Sequence, residues 1–453
     1  MQLIATDNRQ VIVGLGLTGL SCARYLASKK QVFSVVDSRD NPPGLAEFKA
    51  EFPAVQLSLG VISDEALAGA AQLIVSPGVA LDEPAIAKAM AAGVPVCGDI
   101  DLFCAEVTAP IIGITGANGK STVTTLLGEM AARAGKRVAV GGNIGTPVLD
   151  LLKETTPDLY ILELSSFQLE RAGNLNLDVV TVLNISADHM DRYPNLLAYH
   201  QAKHRIFRGC NKVVVNRADP LTRPLLAEGV SVVTFGLDRP GFNDFGLLVE
   251  AGVEYLAYRF DVLLPVSQLK IVGRHNIENA LAALALGHSA GLEMAPMLEA
   301  LQAFSGLSHR CQFVGELNGV RFYNDSKGTN VGAAIAAIHG LVDGANKIVL
   351  IAGGVAKGAD FSPLLDVLRK HVRSVVLIGE SAQQLAQLCG SDVVTVRANT
   401  MQQAVEMAAA QSVTGDVVLL SPACASFDMF ENYQHRGESF CQAATALINR
   451  GVA

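Results

Sequence analysis

Two glycine-rich stretches carry the residue types that bind phosphate. Residues 115–122 read TGANGKST and residues 14–19 read GLGLTG. In the first of these, backbone amides from Gly116 to Lys120 can wrap a phosphate, Lys120 can neutralise it, and Ser121 or Thr122 can face Mg²⁺. The common phosphate-loop pattern G-x-x-x-x-G-K-[ST] would need glycine at 114, where Ile114 stands. The stretch therefore reads as a phosphate loop, but not of the commonest motor or switch type. In the other stretch, Gly14, Gly16 and Gly19 lie between an apolar run and a helical pattern, and Asp37 follows 18 residues beyond Gly19. That is the context of a dinucleotide fingerprint: glycines let the backbone approach a pyrophosphate, and a helix N-terminus supplies amide donors. Asp37 would hold ribose hydroxyls. The physics is that of any nucleoside diphosphate, so a nicotinamide cofactor and another pyrophosphate ligand both stay open.

A dehydrogenase would use the first loop in chain order, 14–19, and leave the second, 115–122, idle. A nucleotide switch would use the second and leave the first idle. An enzyme that consumes ATP on a second, nucleotide-carrying substrate uses both. Two further residues fit such a site. Glu163 ends the apolar run 158–164, at the ligand-facing end of a parallel sheet, where a carboxylate suits Mg²⁺. His189 follows the run 178–185, between Asp188 and Asp191. Lys203, taken alone, reads as a solvated helix lysine.

The elements that must position these residues alternate strand, glycine turn and helix. Strand-like runs occur at 10–16, 31–38 and 72–79, then at 110–116, 137–145, 158–166, 178–186 and 212–219, with an alanine-rich amphipathic helix at 276–291. Asn318-Gly319 inside 312–326 signals a hairpin. A third series follows at 347–354, 374–380, 392–398 and 416–426. This is an α/β chain of three domains, each built on a mostly parallel sheet with flanking helices. The boundaries are expected near 98 and 306: a Rossmann-like domain over 1–98, a central P-loop-type ATPase domain over 99–306 and a Rossmann-like domain over 307–453.

The bulk properties agree. The chain has 453 residues, 50% of them hydrophobic and 17% charged, enough for several packed cores. Net charge is −8 without a basic run of the kind that tracks nucleic acid. No apolar stretch approaches a membrane span, and the start MQLIATDNRQ lacks the regions of a signal peptide. A cytoplasmic monomer, with neither nucleic acid nor membrane as partner, is expected. The eight cysteines show no zinc spacing and read as small buried hydrophobes.

Taken together, TGANGKST (115–122), GGNIG (141–145), LELSSFQL (162–169), NISADHMDRY (184–193), KHRIF (203–207), GRHNIENALAA (273–283), SHR (308–310), NDSKGTN (324–330), GGVAKGADF (353–361) and LLSPACASFDMF (419–430) resemble the Mur ligase family over nearly the whole length. These are ATP-dependent amino-acid ligases of peptidoglycan precursor synthesis. Within the family, GLGLTG, the SPG at 76–78 and SPACASFD look most like the member that joins D-glutamate to UDP-N-acetylmuramoyl-L-alanine. The resemblance implies a UDP-sugar in the first loop and ATP in the second, with an acyl phosphate made from the substrate carboxylate. A sibling ligase with another amino acid, or folylpolyglutamate synthetase, is the nearest alternative; the first-domain loop speaks against the folate enzyme. From another class, an NAD-dependent oxidoreductase is the competing reading.

The resemblance also implies roles. Lys120, Glu163, His189 and Lys203 would be catalytic, and Gly116, Asn118, Gly119, Lys120, Ser121, Thr122, Asn276, Arg310 and Asp325 would hold ATP. Gly16, Leu17, Thr18, Asp37, Ser38, Arg39, Gly78 and Asn143 would hold the UDP-substrate. Lys327, Thr329, Lys357, Ser426 and Phe427 would hold the amino acid. Two Mg²⁺ sites are expected, with Ser121, Glu163, His189 and Lys203 as ligands. An ammonium between two divalent cations would be repelled; the family's answer is a carbamylated lysine, an anion, which is expected at Lys203. The chain departs from some relatives at Val355, where they carry aspartate.

Overall fold

A computed structural model describes residues 8–153, 156–342 and 344–452. The first sheet holds β1 (Gln10–Val13), β2 (Phe33–Asp37), β3 (Leu57–Leu59), β4 (Gln72–Val75) and β5 (Val96–Cys97) in the order β3-β2-β1-β4-β5. All its pairings are parallel. Val11, Ile12 and Val13 are all buried. Helices cover both faces of a parallel sheet, which is why its strands read as unbroken apolar runs rather than alternating ones.

The second sheet has nine strands: β6 (Ile111–Thr115), β7 (Val138–Gly142), β8 (Leu159–Glu163), β9 (Val179–Val182), β10 (Lys212–Asn216), β11 (Ser231–Phe235), β12 (Asp244–Glu250), β13 (Val253–Tyr258) and β14 (Asp261–Pro265). Their order is β14-β13-β12-β11-β10-β9-β6-β8-β7. It is parallel up to β12 and antiparallel for the last two pairings. Ile114 is a fully buried strand residue paired with Glu163 and Thr181. The phosphate loop therefore starts only at Gly116, and position 114 belongs to β6.

The third sheet holds β15 (Gln312–Leu317), β16 (Val320–Asn324), β17 (Ile348–Gly353), β18 (Val372–Ile378), β19 (Val394–Arg397) and β20 (Val417–Leu420), in the order β15-β16-β20-β17-β18-β19. Only the β15–β16 pair is antiparallel. Its turn is Asn318-Gly319, with φ of 53° and 78°, closing the pair Leu317–Val320. Two positive φ values in a two-residue turn are what a right-twisted hairpin requires.

The three-sheet, mostly parallel α/β architecture is the one expected. The arm β11–β14 and the short strands β3 and β5 were not. The turns of the arm are Ala251-Gly252 and Arg259-Phe260, with Ala251 and Arg259 at positive φ. Neither pair has the asparagine or aspartate that marks such a turn in a sequence.

One apolar cluster runs through the first and second sheets without a break, from Ile12 and Phe48 to Leu162 and Tyr199. Helix Asp99–Glu106 bridges them; Phe103 meets Tyr160 edge-on at 5.0 Å. The third sheet is separate in this respect: its two apolar clusters draw only on residues from Cys311 onward. Among the described residues no helix is long and apolar enough to cross a membrane.

Candidate active site

The two glycine loops, Asp37 and Glu163 stand at carboxyl ends of parallel strands, where α/β sheets open their ligand crevices, while Lys203 comes from helix Leu196–His204 and Asn276 from helix Arg274–Ser289. In the first lobe, Gly14 (φ 97°) turns the chain out of β1, and Gly16 caps helix Leu17–Ser28. A Cβ on Gly19 would lie 1.9 Å from the Gly14 carbonyl oxygen, so only glycine lets the helix sit this close to the strand. Asp37, at the end of β2, is buried and already occupied. Its Oδ2 accepts the Leu15 amide at 2.6 Å, and Arg39 binds both its oxygens. Burial pushes the Asp37 carboxyl up, but Arg39 and the two amides outweigh this and hold it below the ordinary value. Asp37 thus shapes the loop and presents the half-exposed Arg39 guanidinium at its mouth. Gly78 is open to solvent on its Cβ side. The next carbonyl, Val79 O, accepts Arg171 at 2.8 Å and Arg192 at 3.3 Å, which joins the first-lobe loop to the central lobe.

In the central lobe the phosphate loop is held by Asn184, whose side chain accepts the Asn118 amide at 2.8 Å and donates to the Asn118 carbonyl at 3.1 Å. Gly119 caps helix Lys120–Arg133 in the left-handed region (φ 83°); a Cβ there would meet Asn279 Oδ1 at 2.4 Å. Lys120 curls back, its Nζ donating to the carbonyls of Gly116 at 2.8 Å and Ala117 at 3.0 Å. Burial lowers its pKa, against the pull of Glu163 and Asp188.

A cavity of about 260 Å³ beside this loop is lined by Lys120, Ser121, Asn143, Glu163, Asp188, His189, Lys203, Arg310, Lys327 and Thr329, among others. Glu163 is 2% exposed; Oε1 accepts Asn143 Nδ2 at 2.7 Å, and Oε2 has no hydrogen-bond partner among the described residues. A buried carboxylate oxygen left bare is costly unless something cationic meets it. His189 has φ 58° and packs against Phe167, with ring centroids 4.8 Å apart. Burial, and the nearby Lys357 and Lys120, keep its imidazole below the ordinary pKa despite Asp188, which favours the unprotonated ring.

Lys203 is not a solvated lysine: it is 1% exposed. Its Nζ donates to the Gly116 carbonyl at 2.9 Å and sits 4.5 Å from the centre of the Tyr199 ring. Burial, and then Lys120, drive its pKa well below that of an ordinary lysine. Among the described residues no group of three or more His, Cys, Asp or Glu is placed to hold a metal ion. What the cavity offers instead is Glu163 Oε2, the His189 imidazole and the Ser121 hydroxyl beside a phosphate loop. That set fits Mg²⁺, which is typically held by one or two carboxylates together with substrate phosphates.

The third lobe completes the surround. Arg310, flanked by His309 (φ 63°) and Cys311 (φ 41°), donates to Ser121 Oγ at 3.0 Å. Asp325, after β16, accepts Ser421 Oγ at 2.7 Å and the Cys311 amide at 3.2 Å. Burial pushes its carboxyl up to about 6. Lys327 lies 3.8 Å over the Tyr433 ring, and burial together with Arg310 brings its ammonium down to about 8. Lys357 (φ 50°) donates to Asp188 Oδ1 at 3.1 Å. A second cavity of about 280 Å³ opens toward Asn276, Asn279, Arg310 and Asp325, and a third of about 320 Å³ toward His189, Thr329 and Lys357.

Ser426 is buried and Phe427 is 73% exposed; neither is among the residues lining these cavities. Tyr433, six residues on, is the aromatic that meets Lys327. Asn184, Asp188, Asn279 and Asn330 also hold the site. Asp188 and Asn184 were visible within NISADHMDRY but carry no chemistry that spacing alone could assign; Asn330 ends NDSKGTN, where the sequence shows only an asparagine before a helical run.

Comparison with known proteins bears on the same three units. Residues 8–98 match the Mur ligase MurD-like N-terminal domain, 114–287 the Mur ligase middle domain, and 309–424 the Mur ligase glutamate ligase domain. A UDP-N-acetylmuramoylalanine–D-glutamate ligase of Pseudomonas aeruginosa is 56% identical over 99% of this chain and 100% of its own length. One of the same name from Marinobacter nauticus is 52% identical over 97% and 98%. Among solved structures, the MurF ligase of Thermotoga maritima in complex with ADP superposes with a TM-score of 0.61 at 15% identity, covering 99% of this chain and 100% of that one. The UDP-N-acetylmuramate–alanine ligase of the same organism gives 0.59 at 19%, covering 97% and 99%. Three consecutive domain matches in chain order, and relatives this similar from end to end, leave one assignment: the chain belongs to the Mur ligase family.

Proposed function

We propose that the chain is an ATP-dependent, ADP-forming ligase that joins the carboxyl of UDP-N-acetylmuramoyl-L-alanine to the amine of D-glutamate in peptidoglycan precursor synthesis. The observation that carries this reading is the convergence of Lys120, Glu163, His189 and Lys203 from the central lobe with Arg310, Lys327 and Thr329 from the third lobe on one cavity.

A carboxylate is a poor electrophile, so amide formation needs it activated. The substrate carboxylate oxygen takes the γ-phosphoryl group and ADP leaves. The amine nitrogen then attacks the acyl carbon, the C–O bond to phosphate breaks, and the amine proton passes to solvent. Reactants and leaving group are all anionic, so the protein's work is positioning and charge neutralisation. Loop amides and Lys120 face the transferring phosphoryl group, with Arg310 beside Ser121. Asn276 and Asp325 line the cavity that suits the nucleoside. Lys357 and Thr329 line the one that suits the amino acid, with Lys327 beside the phosphoryl group. Ser121, Glu163, His189 and Lys203 would hold Mg²⁺, which supplies further charge neutralisation on the phosphates.

Lys203 takes part as its carbamate. A buried lysine held neutral has the lone pair that adds to CO₂: an N–C bond forms, a proton leaves to solvent, and the nitrogen ends in a carboxylate. The UDP group lies over Gly16–Thr18 and Arg39, and its sugar arm passes Gly78 toward Asn143. The reading places a monomer in the cytoplasm, where both substrates are soluble.

The test is phosphate release from ATP, screened over amino acids with and without the UDP-substrate. Release that requires both D-glutamate and UDP-N-acetylmuramoyl-L-alanine is the expected result. Release driven equally by another amino acid would make the chain a sibling ligase, and reduction of a nicotinamide cofactor would make it an oxidoreductase.

A further inference from the structure

Asn330 is 5% exposed and precedes helix Val331–Leu341 as its N-cap, its Oδ1 accepting the Ala333 amide at 2.8 Å. A capping asparagine has its amide nitrogen to spare. Here that nitrogen reaches into the central lobe. Nδ2 donates to Asn118 Oδ1 in the phosphate loop at 3.2 Å and to Asp188 Oδ2 at 3.1 Å, while Asn118 Nδ2 returns a longer bond to Asn330 Oδ1 at 3.4 Å. One buried side chain therefore ties together a helix end of the third lobe, the phosphate loop, and the segment that carries His189.

The turn leading to Asn330 is stiff. The Lys327 amide donates to His309 O at 3.1 Å, Gly328 N to Asp325 O at 2.8 Å, and Ala423 N to Gly328 O at 2.9 Å. Lys327 and Thr329 ride on this turn, so fixing its last residue against the central lobe fixes them as well. The third lobe's apolar clusters include no residue of the central lobe, so its register depends on contacts of this kind. Buried hydrogen bonds left unmade are costly, which makes such a contact two-state rather than graded.

We propose that Asn330 is a positioning residue that sets the register of the third lobe on the phosphate loop, delivering Lys327 and Thr329 to the cavity only when its carboxamide is bonded to both Asn118 and Asp188. The proposal rests on the ligase reading for what is delivered, but the contact itself does not.

The test exploits the two jobs of the side chain. Asn330→Asp keeps the helix cap, because aspartate caps as well as asparagine, but it sets a carboxylate against Asp188. Asn330→Ser also keeps a cap and is too short to reach either partner. We expect both variants to melt within a few degrees of wild type. Both should show a larger radius of gyration by small-angle scattering, without ligand or with AMP-PNP and Mg²⁺, and a kcat reduced about tenfold or more. Exchanging the pair, Asp188→Asn with Asn330→Asp, restores a donor facing an acceptor and should return the radius toward wild type. Equal radii for wild type and both single variants, with and without AMP-PNP, would overturn the proposal, as would a swap variant no more compact than Asn330→Asp. If wild type fails to bind AMP-PNP, the ligase reading fails, and the ligand-free radii still decide the role of Asn330.

Discussion

Lys120 and Lys203 direct both their side-chain nitrogens at one acceptor, the carbonyl oxygen of Gly116, at 2.8 and 2.9 Å. Two ammonium groups so close in a buried place repel each other, and the burden falls on Lys203, whose pKa is driven down by burial first and by Lys120 second. Burial lowers the pKa of both amines, and that of Lys203 well below the ordinary value, so on the proposed reading Lys203 is the amine suited to CO₂ and Lys120 the one suited to phosphate. Wild-type enzyme stripped of dissolved CO₂ is expected to lose activity and to regain it on adding bicarbonate. A peptide containing Lys203 should carry the mass of one extra carboxyl group when kept at alkaline pH. Lys203→Arg, which cannot be modified in this way, should be inactive and indifferent to bicarbonate; a bicarbonate response in that variant would remove Lys203 as the site.

Removing the other lysine tests charge neutralisation directly. Lys120→Met keeps an unbranched side chain, one atom shorter, and deletes its charge. By analogy with the loss of one preorganised donor to a developing anion, kcat should fall by about 10²–10³. Measured by phosphate release, a change in KM alone would mean that Lys120 binds ground state and transition state equally.

Most of the fold was legible because parallel strands buried on both faces leave apolar runs that end in glycine turns. The arm β11–β14 was not, since Arg259-Phe260 has no usual turn residue and Ala251-Gly252 has only its glycine, so tertiary pairing must carry them. In the site, Glu163 was picked out by its charge and strand-end position and Lys120 by its phosphate loop, whereas Asp325 came only with the family resemblance. Burial was invisible there. Lys203 follows an exposed-looking stretch, Tyr199-His200-Gln201-Ala202, and only the packed chain shows that its side chain enters the core. Asp37 has the opposite history: its position suggested a ligand contact, and its two oxygens turn out to be spoken for by Leu15 and Arg39. The asparagines at 184, 279 and 330 were unreadable because their partners lie far off in the sequence.

That use of Asp37 makes a separable prediction. Asp37→Ala frees the Leu15 amide and lets Arg39 swing, so the UDP-substrate should bind at least about tenfold more weakly. The KM for ATP should not move, because the phosphate loop lies in another lobe. A parallel rise in both constants would mean that the first lobe had been disrupted as a whole.

Gly119 is a position where geometry and neighbour agree. With φ at 83°, any other residue costs about 1–3 kcal/mol of backbone strain, and a Cβ would collide with Asn279 Oδ1 at 2.4 Å. Gly119→Ala should lower thermal stability and raise the KM for ATP. The double variant Gly119→Ala with Asn279→Ala should recover the part due to collision but not the part due to φ; full recovery would mean that the backbone there is not strained.

Asp99 gives the pH dependence of stability a sign. It starts the helix that bridges the first and second sheets, is 3% exposed, and has an Oδ1 without a hydrogen-bond partner among the described residues. Burial raises its carboxyl pKa to about 6, with Gln168 and Arg171 only partly offsetting this. The folded chain therefore binds this proton more tightly than the unfolded one does. Between the ordinary carboxyl value and about pH 6 the native state holds more protons, so this group makes stability fall as pH rises, by roughly 2–3 kcal/mol across the window, and contributes no further slope above it. Asp99→Asn cannot ionise. Its urea-unfolding free energy, followed from pH 4 to 7, should fall less steeply than that of wild type below pH 6 and run parallel to it above. The two curves running parallel throughout would mean that Asp99 is solvated in the folded chain, and that the joint between the first two lobes is looser than its packing implies.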